Sequence, residues 1–429
     1  MSDPSARVAD IAPALPRRHL SDVVRARRAA ALIVGQLPRG TPEPTEAEFR
    51  HLGEGLLQGD AAADRLVDWM HVRGMREAWP RVQQAIELGV AQLSDPEPEL
   101  RAFFDAVEAR PDWVSDDLLE EGARVCGLGG RAGMRALAVT GLMAGYQLSA
   151  VNQALLATGA LEKGAARRIA ETTKWWIDVT EPGAMARFGE GFKGTLRVRV
   201  IHAMVRRQLA QRPTWDAADL GLPVNQTDMQ ATYLGFSIVY LLGLKLMGIP
   251  LRTREKEAVL HLWRYIAWVN GVREDHLHAL DDAERSATYT LYRNLLTQRM
   301  ADADSARLAQ ALADEPLQRH YARWPGLQGR FNRALQLSIA RACMGNDTLR
   351  GLGLEAKGMN YSTEVTSRLL ERRIGGGVAD EHGDDDVVLE EERLSDHGTV
   401  VRDHHPVPRH RGVALLQVLE LPDEVRRIP

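Results

Sequence analysis

Apolar and polar residues recur with the period of a helix along most of this chain. Four positions of one segment share a single helix face, at i, i+4, i+7 and i+11: Val198, His202, Val205 and Leu209. No series of alternating apolar and polar residues indicates a strand. The pattern therefore predicts an all-α protein, and it places one histidine in the middle of an apolar helix face.

A helix is also predicted before this segment, from about Gly164 to Thr180. One of its faces carries Arg168, Thr172, Trp175 and Val179. Arg168 and Thr172 thus point the same way, and a guanidinium beside a hydroxyl can donate hydrogen bonds to bound oxygen or to a carboxylate. The ordinary alternative is an ion pair between Arg168 and a nearby acid such as Glu171.

After the histidine helix, a turn leads into a further apolar helix. Gly221-Leu222-Pro223 precedes Asn225, a favourable N-cap residue, and Asp228 lies in the first turn. The helix is predicted to continue to Met247. Capping by itself explains Asn225 and Asp228, but the segment can equally bring one of them to the histidine as a hydrogen-bond partner.

The same patterns divide the chain into three parts. Residues 1–44 are rich in proline, arginine and alanine and are predicted to form an arm, with one helix near Leu20 to Val34. Residues 45–373 form the helical domain, which begins with Thr45 as an N-cap. Residues 374–429 change abruptly to an acidic and then a histidine- and proline-containing tail.

Composition narrows the class of protein. The chain has 429 residues, of which 45% are hydrophobic, and this suffices for a sizeable core. Its net charge of −4 gives no basic signature of nucleic-acid binding. Its two cysteines cannot build a disulfide framework. No clear signal peptide precedes the domain, and two apolar stretches, 137–161 and 232–251, are interpreted as buried helices and not as membrane spans. We expect a cytoplasmic protein.

His202 itself has two interpretations. A histidine on an apolar face is ordinarily a buried imidazole with backbone or side-chain partners. The same surroundings suit an axial haem ligand, which needs a neutral imidazole, a dry pocket and cations for two propionates. Four arginines close in sequence can supply those cations or form a solvated face: Arg197, Arg199, Arg206 and Arg207.

Three motifs in this order carry a family resemblance. They are Arg-x-x-x-Thr from Arg168, Val-Arg-x-x-His-Ala-x-Val-Arg from Val198, and Pro-Val-Asn-Gln-x-Asp-Met from Pro223. Together they resemble the oxygenase family of bacterial latex-clearing protein and fungal MpaB, over roughly residues 120 to 300. The resemblance implies a globin-like helical core with additional helices and a b-type haem whose iron is bound by His202.

The resemblance also implies roles for other residues. Arg168 and Thr172 would lie at the haem pocket. Independently of the resemblance, the positions of Arg199 and Arg206 suggest that they bind the cofactor, and those of Asn225 and Asp228 suggest that they orient the histidine. One departure is Glu171, because latex-clearing proteins carry a lysine there that can occupy the distal iron position. The carboxylate proposed as a base in rubber cleavage also has no clear counterpart, since the stretch 149–154 offers only Asn152 and Gln153.

Three further patterns have the residue types or spacing of known kinds of site. Glu48-x-x-His51 has the spacing of di-iron bundles, but no second such motif follows, so a solvated helix face is favoured. His276 and His278 form a His-x-His pair beside Asp275, and spacing indicates no further metal ligand. The glycine-rich segment 127–132 lacks a preceding strand and predicts a helix-helix turn rather than a dinucleotide site.

The leading hypothesis is a haem b-dependent oxygenase that uses dioxygen to cleave or oxygenate a carbon-carbon double bond in an apolar, isoprenoid-like substrate. In it, Arg168 and Thr172 orient the oxygenated species and Glu171 contributes acid-base chemistry. A second hypothesis is a non-enzymatic protein that binds haem or a diatomic ligand. A third is a cofactor-free helical protein that binds an apolar ligand, with His202 as a core residue.

Overall fold

The computed structural model describes residues 14–159 and 165–354, except the side chains of Leu32 and of residues 165–168. Every regular element in these ranges is helical, which confirms the predicted all-α class. The predicted tail from residue 374 lies outside the described residues.

The first ten α-helices are α1 Val23–Ala29, α2 Ala31–Val34, α3 Glu46–Gly55, α4 Ala61–Arg73, α5 Met75–Leu88, α6 Pro98–Glu108, α7 Asp116–Leu128, α8 Gly130–Ala136, α9 Ser149–Ala157 and α10 Ala165–Val179. The next eight are α11 Glu190–Ala210, α12 Ala217–Leu220, α13 Gln226–Phe236, α14 Ile238–Leu246, α15 Thr253–Val269, α16 Ala283–Thr297, α17 Ala303–Gln318 and α18 Pro325–Gly351. Short 3-10 turns span Val90–Gln92 and Glu274–His276, and Leu137–Met143 is π-helical.

Side-chain caps begin two of the helices where the sequence predicts them. The Thr45 hydroxyl accepts a hydrogen bond from the backbone N–H of Glu48, and the Glu48 carboxylate accepts one from the N–H of Thr45, at 3.3 and 2.8 Å. The Asn225 side-chain oxygen accepts from the N–H of Asp228 at 3.0 Å. These bonds satisfy N–H groups that a helix start leaves without partners, so α3 and α13 begin at defined residues.

The glycine-rich segment 127–132 is a helix-helix turn, as predicted. Helix α7 ends at Leu128 and α8 begins at Gly130, whose φ of +45° lies in the left-handed region that glycine tolerates. No strand precedes the segment in the described chain, so the dinucleotide interpretation has no structural support.

The two long apolar stretches are each interrupted. The described part of the first consists of the π-helical segment followed by α9, with a break at residues 146–148. The second is divided at Ser237, whose φ and ψ of −104° and −92° separate α13 from α14. Among the described residues, only 226–246 is long and apolar enough to cross a bilayer, and 61% of its most apolar window is buried inside the protein.

Residues 14–44, the described part of the predicted arm, take part in the core. Ala26 and Ala30 are fully buried in one cluster with Leu148, Tyr292 and Leu296. Arg18 is only 2% exposed, and its Nη2 donates to Oδ2 of Asp228 at 2.7 Å. These contacts pack the segment around Arg18, Ala26 and Ala30 against α13 and α16.

Helix α15 lies at the centre of the helical domain. It packs against α7, α11, α13 and α16, and its residues 258–267 are buried without interruption. Gly122 of α7 allows the closest approach, since a Cβ there would lie 2.4 Å from the carbonyl oxygen of Ala258. A helix that is buried nearly all round needs neighbours on every side, and this one fixes the position of α11.

Acid is expected to destabilise the fold through His278. This imidazole is 1% exposed, and burial, together with Arg264 and His261, lowers its pKa to about 3. In the unfolded chain the pKa returns to 6.5, so below that pH the unfolded state binds more protons and stability falls. Between pH 6.5 and 4.5 this histidine should cost about 2 kcal/mol of unfolding free energy.

Urea titrations at several pH values measure this slope, and the His278→Asn variant is the control, because its side chain does not titrate in this range. The variant should show a shallower fall of unfolding free energy between pH 6.5 and 4.5. Equal slopes in the two proteins would show that His278 is not the group responsible.

Candidate functional site

Helices α10 and α11 run antiparallel and in close contact. The indole Nε1 of Trp175 donates to Oγ1 of Thr195 at 3.3 Å. One turn further along α10, Val179 lies against Gly191, where a Cβ would approach the Val179 Cα to 2.8 Å. The two contacts are four residues apart on both helices, and they therefore fix the register between them.

The same register relates three of the predicted site residues, Arg168, Thr172 and His202. Three residues before Trp175 on α10 is Thr172, and three residues after Thr195 on α11 is Val198. Arg168 lies seven residues, or two helical turns, before Trp175, and His202 lies seven residues after Thr195, so these two residues are also paired. The backbone positions of Arg168 and His202 are thus level on facing helices, while the side chain of Arg168 lies outside the described residues.

The imidazole of His202 is half-buried and incompletely bonded. Its Nδ1 atom is buried and has no hydrogen-bond partner within the described chain. Burial and the nearby Arg206 guanidinium lower its pKa to about 4, and the Asp60 carboxylate opposes this only in part. At neutral pH the ring is therefore uncharged, which is the form that binds a metal ion through nitrogen.

A line of half-buried residues runs along α11 and includes His202. The half-buried residues at helical spacing are Gly194, Val198, Ile201, His202 and Val205, whereas most other residues of the helix are buried. On α10, the facing residues Glu171, Thr172 and Trp175 are half-buried too. A flat apolar group would find apolar surface there that the protein itself leaves uncovered.

Carboxylates of α4 and its N-cap bind the two arginines that flank the histidine on α11. The Arg199 guanidinium forms a bidentate pair with Asp60 at 2.6 and 3.0 Å and donates to the carbonyl of Val269 at 3.1 Å. Arg206 pairs with Asp64 at 2.8 Å. These contacts orient α11 on α4, so a direct contact of Arg199 or Arg206 with a cofactor stays a prediction.

The other two arginines are also paired with acids. Arg197 pairs with Glu87 and donates to the Gln83 amide oxygen at 3.0 Å, and Arg207 pairs with Asp68. The cationic cluster of α11 is therefore largely neutralised by α4 and α5.

Asn225 and Asp228 meet each other and the N-terminal segment. The Asn225 amide nitrogen donates to the carbonyl of Leu222 and to Oδ2 of Asp228, both at 2.8 Å, and the same Oδ2 accepts from Arg18. Neither side chain bonds to Nδ1 of His202, which has no partner among the residues described. The capping interpretation accounts for both residues, and an orienting role toward the histidine has no contact to support it.

Gly271 makes room for the ion pair between Asp60 and Arg199. Its φ is +90°, and a Cβ there would lie 2.2 Å from Oδ2 of Asp60 and 2.8 Å from Nε of Arg199. We expect Gly271→Ala to lower the unfolding free energy by about 3 kcal/mol, because left-handed strain adds to a clash with a buried salt bridge.

Gly248→Ala is the matched control in thermal or urea unfolding. Its φ of +79° is similar, but nothing lies within 4 Å of the added Cβ, so it should cost only about 1 kcal/mol. Equal losses in the two variants would show that the ion pair tolerates the extra methyl group.

Comparison with known proteins identifies the family of the chain. Residues 119–374 match the sequence model of the family described as ER-bound oxygenase mpaB/B'/rubber oxygenase, catalytic domain. The chain belongs to this family. Its helices α10, α11 and α13, with all eight predicted site residues, lie inside the matched region.

Two relatives are similar to the chain in sequence or in fold. The rubber oxygenase of Streptomyces sp. (strain K30) is 27% identical over 216 residues, which are 49% of this chain and 51% of the relative. The chain thus spans about half the length of the curated relative it matches. The structure of latex clearing protein LCP in the closed state has a TM-score of 0.58 at 20% identity, with 83% of this chain and 90% of the other covered. That similarity shows a shared all-helical fold.

In the stretch 149–154, where the sequence offers no carboxylate, one polar residue is buried. Asn152 of α9 is 1% exposed, and its amide donates to the carbonyl of Tyr146 at 2.8 Å and to the hydroxyl of Ser305 at 3.1 Å. An amide cannot act as a general base, and these bonds hold it in place. The structure therefore gives Asn152 a structural contact and no proton-transfer role.

Sequence reasoning missed Asp60 and Asp64, which bind Arg199 and Arg206. Both precede the region that matches the family, and they lie more than 130 residues from their partners in the chain. The available signal was weak, since an aspartate before a run of alanines predicts only an N-cap. Asp60 does serve as that cap, accepting from the N–H of Ala63 at 3.3 Å.

Proposed function

We propose that this protein is a haem b-dependent oxygenase that uses dioxygen to cleave a carbon-carbon double bond of an apolar, isoprenoid-like substrate. The observation that carries the proposal is the neutral His202 imidazole on a half-buried apolar helix face. The register of α10 and α11 supports including Arg168 and Thr172, because their backbone positions are level with those of His202 and Val198. Membership of an oxygenase family supports the same reaction class.

The residues present fit a haem. His202 offers a neutral nitrogen ligand, and the half-buried line of α11 offers apolar surface for the macrocycle. When bound, the haem iron would supply the site at which dioxygen is activated. The ion pairs of Arg199 and Arg206 fix the turns of α11 before and after the histidine, which keeps the imidazole in one orientation.

Helix α10 would form the other side of the haem pocket, facing α11. Thr172 is half-buried there, and its hydroxyl can donate a hydrogen bond to an oxygen atom that develops negative charge as the double bond is broken. We assign Arg168 the same donor role, on the basis of its position level with His202. Glu171 stands where the family's lysine is found in latex-clearing proteins, and we propose that it exchanges protons with the oxygenated substrate.

An aromatic cluster supports an apolar substrate. Phe236 stacks on Trp263 with ring centroids 5.0 Å apart, and Trp175 meets both rings edge-on at 5.5 and 5.8 Å. Trp175 is bonded to Thr195, one turn from the Thr172 and Val198 pair, so the cluster lies near the proposed site. Such surfaces bind alkenes by burial and shape, without polar contacts. A cytoplasmic location stays a prediction, and it favours a smaller isoprenoid or lipid-like molecule over a polymer.

Two measurements on the purified protein test the proposal. The first is haem content by pyridine haemochrome, expected near one b-type haem per chain. The second is incubation of the haem-loaded protein with polyisoprene oligomers or smaller isoprenoid alkenes under oxygen, with carbonyl products trapped as hydrazones. Oxygen-dependent carbonyl formation supports the oxygenase.

Other outcomes favour the other two hypotheses. Bound haem with a stable oxygenated spectrum and no carbonyl product across this substrate series would favour a haem protein that binds diatomic ligands. A folded protein with no Soret band after haem-supplied expression would contradict the haem assignment and favour a cofactor-free binder of apolar ligands.

A further inference from the structure

Two histidines and an aspartate meet on the side of the fold formed by α3 and the 3-10 turn after α15. His51 lies on α3, and Asp275 and His276 lie in the turn. One potential ligand atom from each residue lies within 4.8 Å of the other two. The sequence assigned no site to His51 and found no third ligand for the His-x-His pair, so the tertiary structure supplies the partner that spacing could not reveal.

The imidazole of His276 has unused bonding capacity. The residue is fully buried, and neither of its ring nitrogens has a hydrogen-bond partner in the described chain. Leaving a buried polar group without a hydrogen bond lowers the stability of the folded protein. A metal ion bound to one nitrogen would remove part of that cost, which a purely structural interpretation leaves unexplained.

The surrounding chain holds the three groups in place. The carbonyl of His276 accepts a hydrogen bond from the Gln230 amide at 2.8 Å. Gly55 lies directly against the ring, since a Cβ there would be 2.6 Å from Cε1 of His276. The His51 ring stacks on His276 with centroids 4.4 Å apart and an angle of 27°, and its Nε2 lies 3.2 Å from the carbonyl oxygen of Asp275.

We propose that His51, Asp275 and His276 form a binding site for a divalent transition-metal ion, with zinc as its test probe. Imidazole nitrogens and a carboxylate are the ligands that zinc and its neighbours in the first transition row prefer. The ion would join α3 to the turn between α15 and α16, and water would complete its coordination. This site shares no residue with the proposed haem site, so either proposal can fail without the other.

Arg273 sets the strength of this site. Its guanidinium donates to both oxygens of Asp275, at 3.0 and 2.8 Å, and to the Gln58 amide oxygen at 2.8 Å. A carboxylate has about four lone-pair positions, so Asp275 can bind the arginine and a metal together. The fixed positive charge nevertheless opposes a second cation. The site should therefore bind zinc more weakly than a closed four-ligand zinc site.

The opposition between the Arg273 charge and a metal ion at Asp275 gives a test that distinguishes a metal site from a purely structural cluster. The full-length protein, with whatever haem it carries, is stripped of metal with a chelator and titrated with zinc against a chromophoric indicator. Arg273→Gln is expected to bind zinc at least about five-fold more tightly than the wild type, since it removes the opposing charge and keeps the ligands. His51→Ala and His276→Ala should each weaken binding at least about ten-fold.

Histidines elsewhere in the chain provide controls. The tail contains His404 and His405, which can bind metal by themselves, and His71 is exposed on α4. The double variant His404→Ala/His405→Ala and the single variant His71→Ala should retain the zinc equivalent that His276→Ala loses. His51→Ala repeats the test at a half-buried position if His276→Ala does not fold.

Three results would overturn the site. The first is that zinc affinity is unchanged in both His51→Ala and His276→Ala. The second is that the tail variant loses the zinc equivalent instead, and the third is that Arg273→Gln gains no affinity.

Discussion

His202→Ala is expected to purify without stoichiometric haem and without a normal Soret band. The substitution removes the imidazole that α11 offers at the level of Arg168, and the apolar surface alone cannot bind iron. We also expect oxygen-dependent carbonyl formation to fall to the background of the protein-free reaction. Absorption spectra, haemochrome content and product yield measure the three effects on one preparation.

His19→Ala is the matched control for this experiment. His19 is also half-buried with an unpartnered Nδ1, and burial beside Arg18 lowers its pKa to about 4, as burial does for His202. It lies in the N-terminal segment against Gly53 and not on α11. The control should keep its haem. Equal haem loss in both variants, or a normal spectrum in His202→Ala, would contradict the assignment of His202 as the ligand.

Asp60→Ala should cost about 3–5 kcal/mol of unfolding free energy, because it leaves the Arg199 charge buried without a partner. The pair is bidentate, and the side chains of Arg199 and Asp60 are only 10% and 5% exposed. The loss of the α4 cap adds a further, smaller cost. Urea unfolding at constant pH and salt measures the change through the midpoint, at unchanged slope.

Two further proteins separate the charge effect from the loss of side-chain packing. Asp60→Ala combined with Arg199→Met removes both charges and should recover part of the stability. Asp116→Ala breaks the exposed pair with Arg110, whose side chains are 42% and 76% exposed, and should cost less than about 1 kcal/mol. If Asp60→Ala cost no more than Asp116→Ala, the buried pair would not position α11.

The haem proposal and the ion pair are physically connected. Arg199 precedes His202 by three residues on α11, so a shift of the turn that Arg199 fixes would rotate the imidazole. Asp60→Ala should therefore broaden or shift the haem spectrum even at temperatures where the protein stays folded. Asp116→Ala should leave the spectrum unchanged.

The sequence by itself determined the helical class, the caps at Thr45 and Asn225, the helix-helix turn near Gly130 and the helices that carry Arg168, Thr172 and His202. These features depend on local periodicity and on backbone preferences, which neighbouring residues set. The ordered motifs also carried the family resemblance, which the match over residues 119–374 confirmed. None of this required knowledge of which helices touch.

Only the tertiary structure decided which side chains meet. It paired Arg199 with Asp60 across 139 positions of the chain and brought Arg18 to Asp228 across 210. It also placed His51 beside Asp275 and His276, which spacing had left as unrelated features. Helix periodicity specifies the face on which a residue lies but not the element that covers that face, because burial is non-directional and many partners satisfy it equally well.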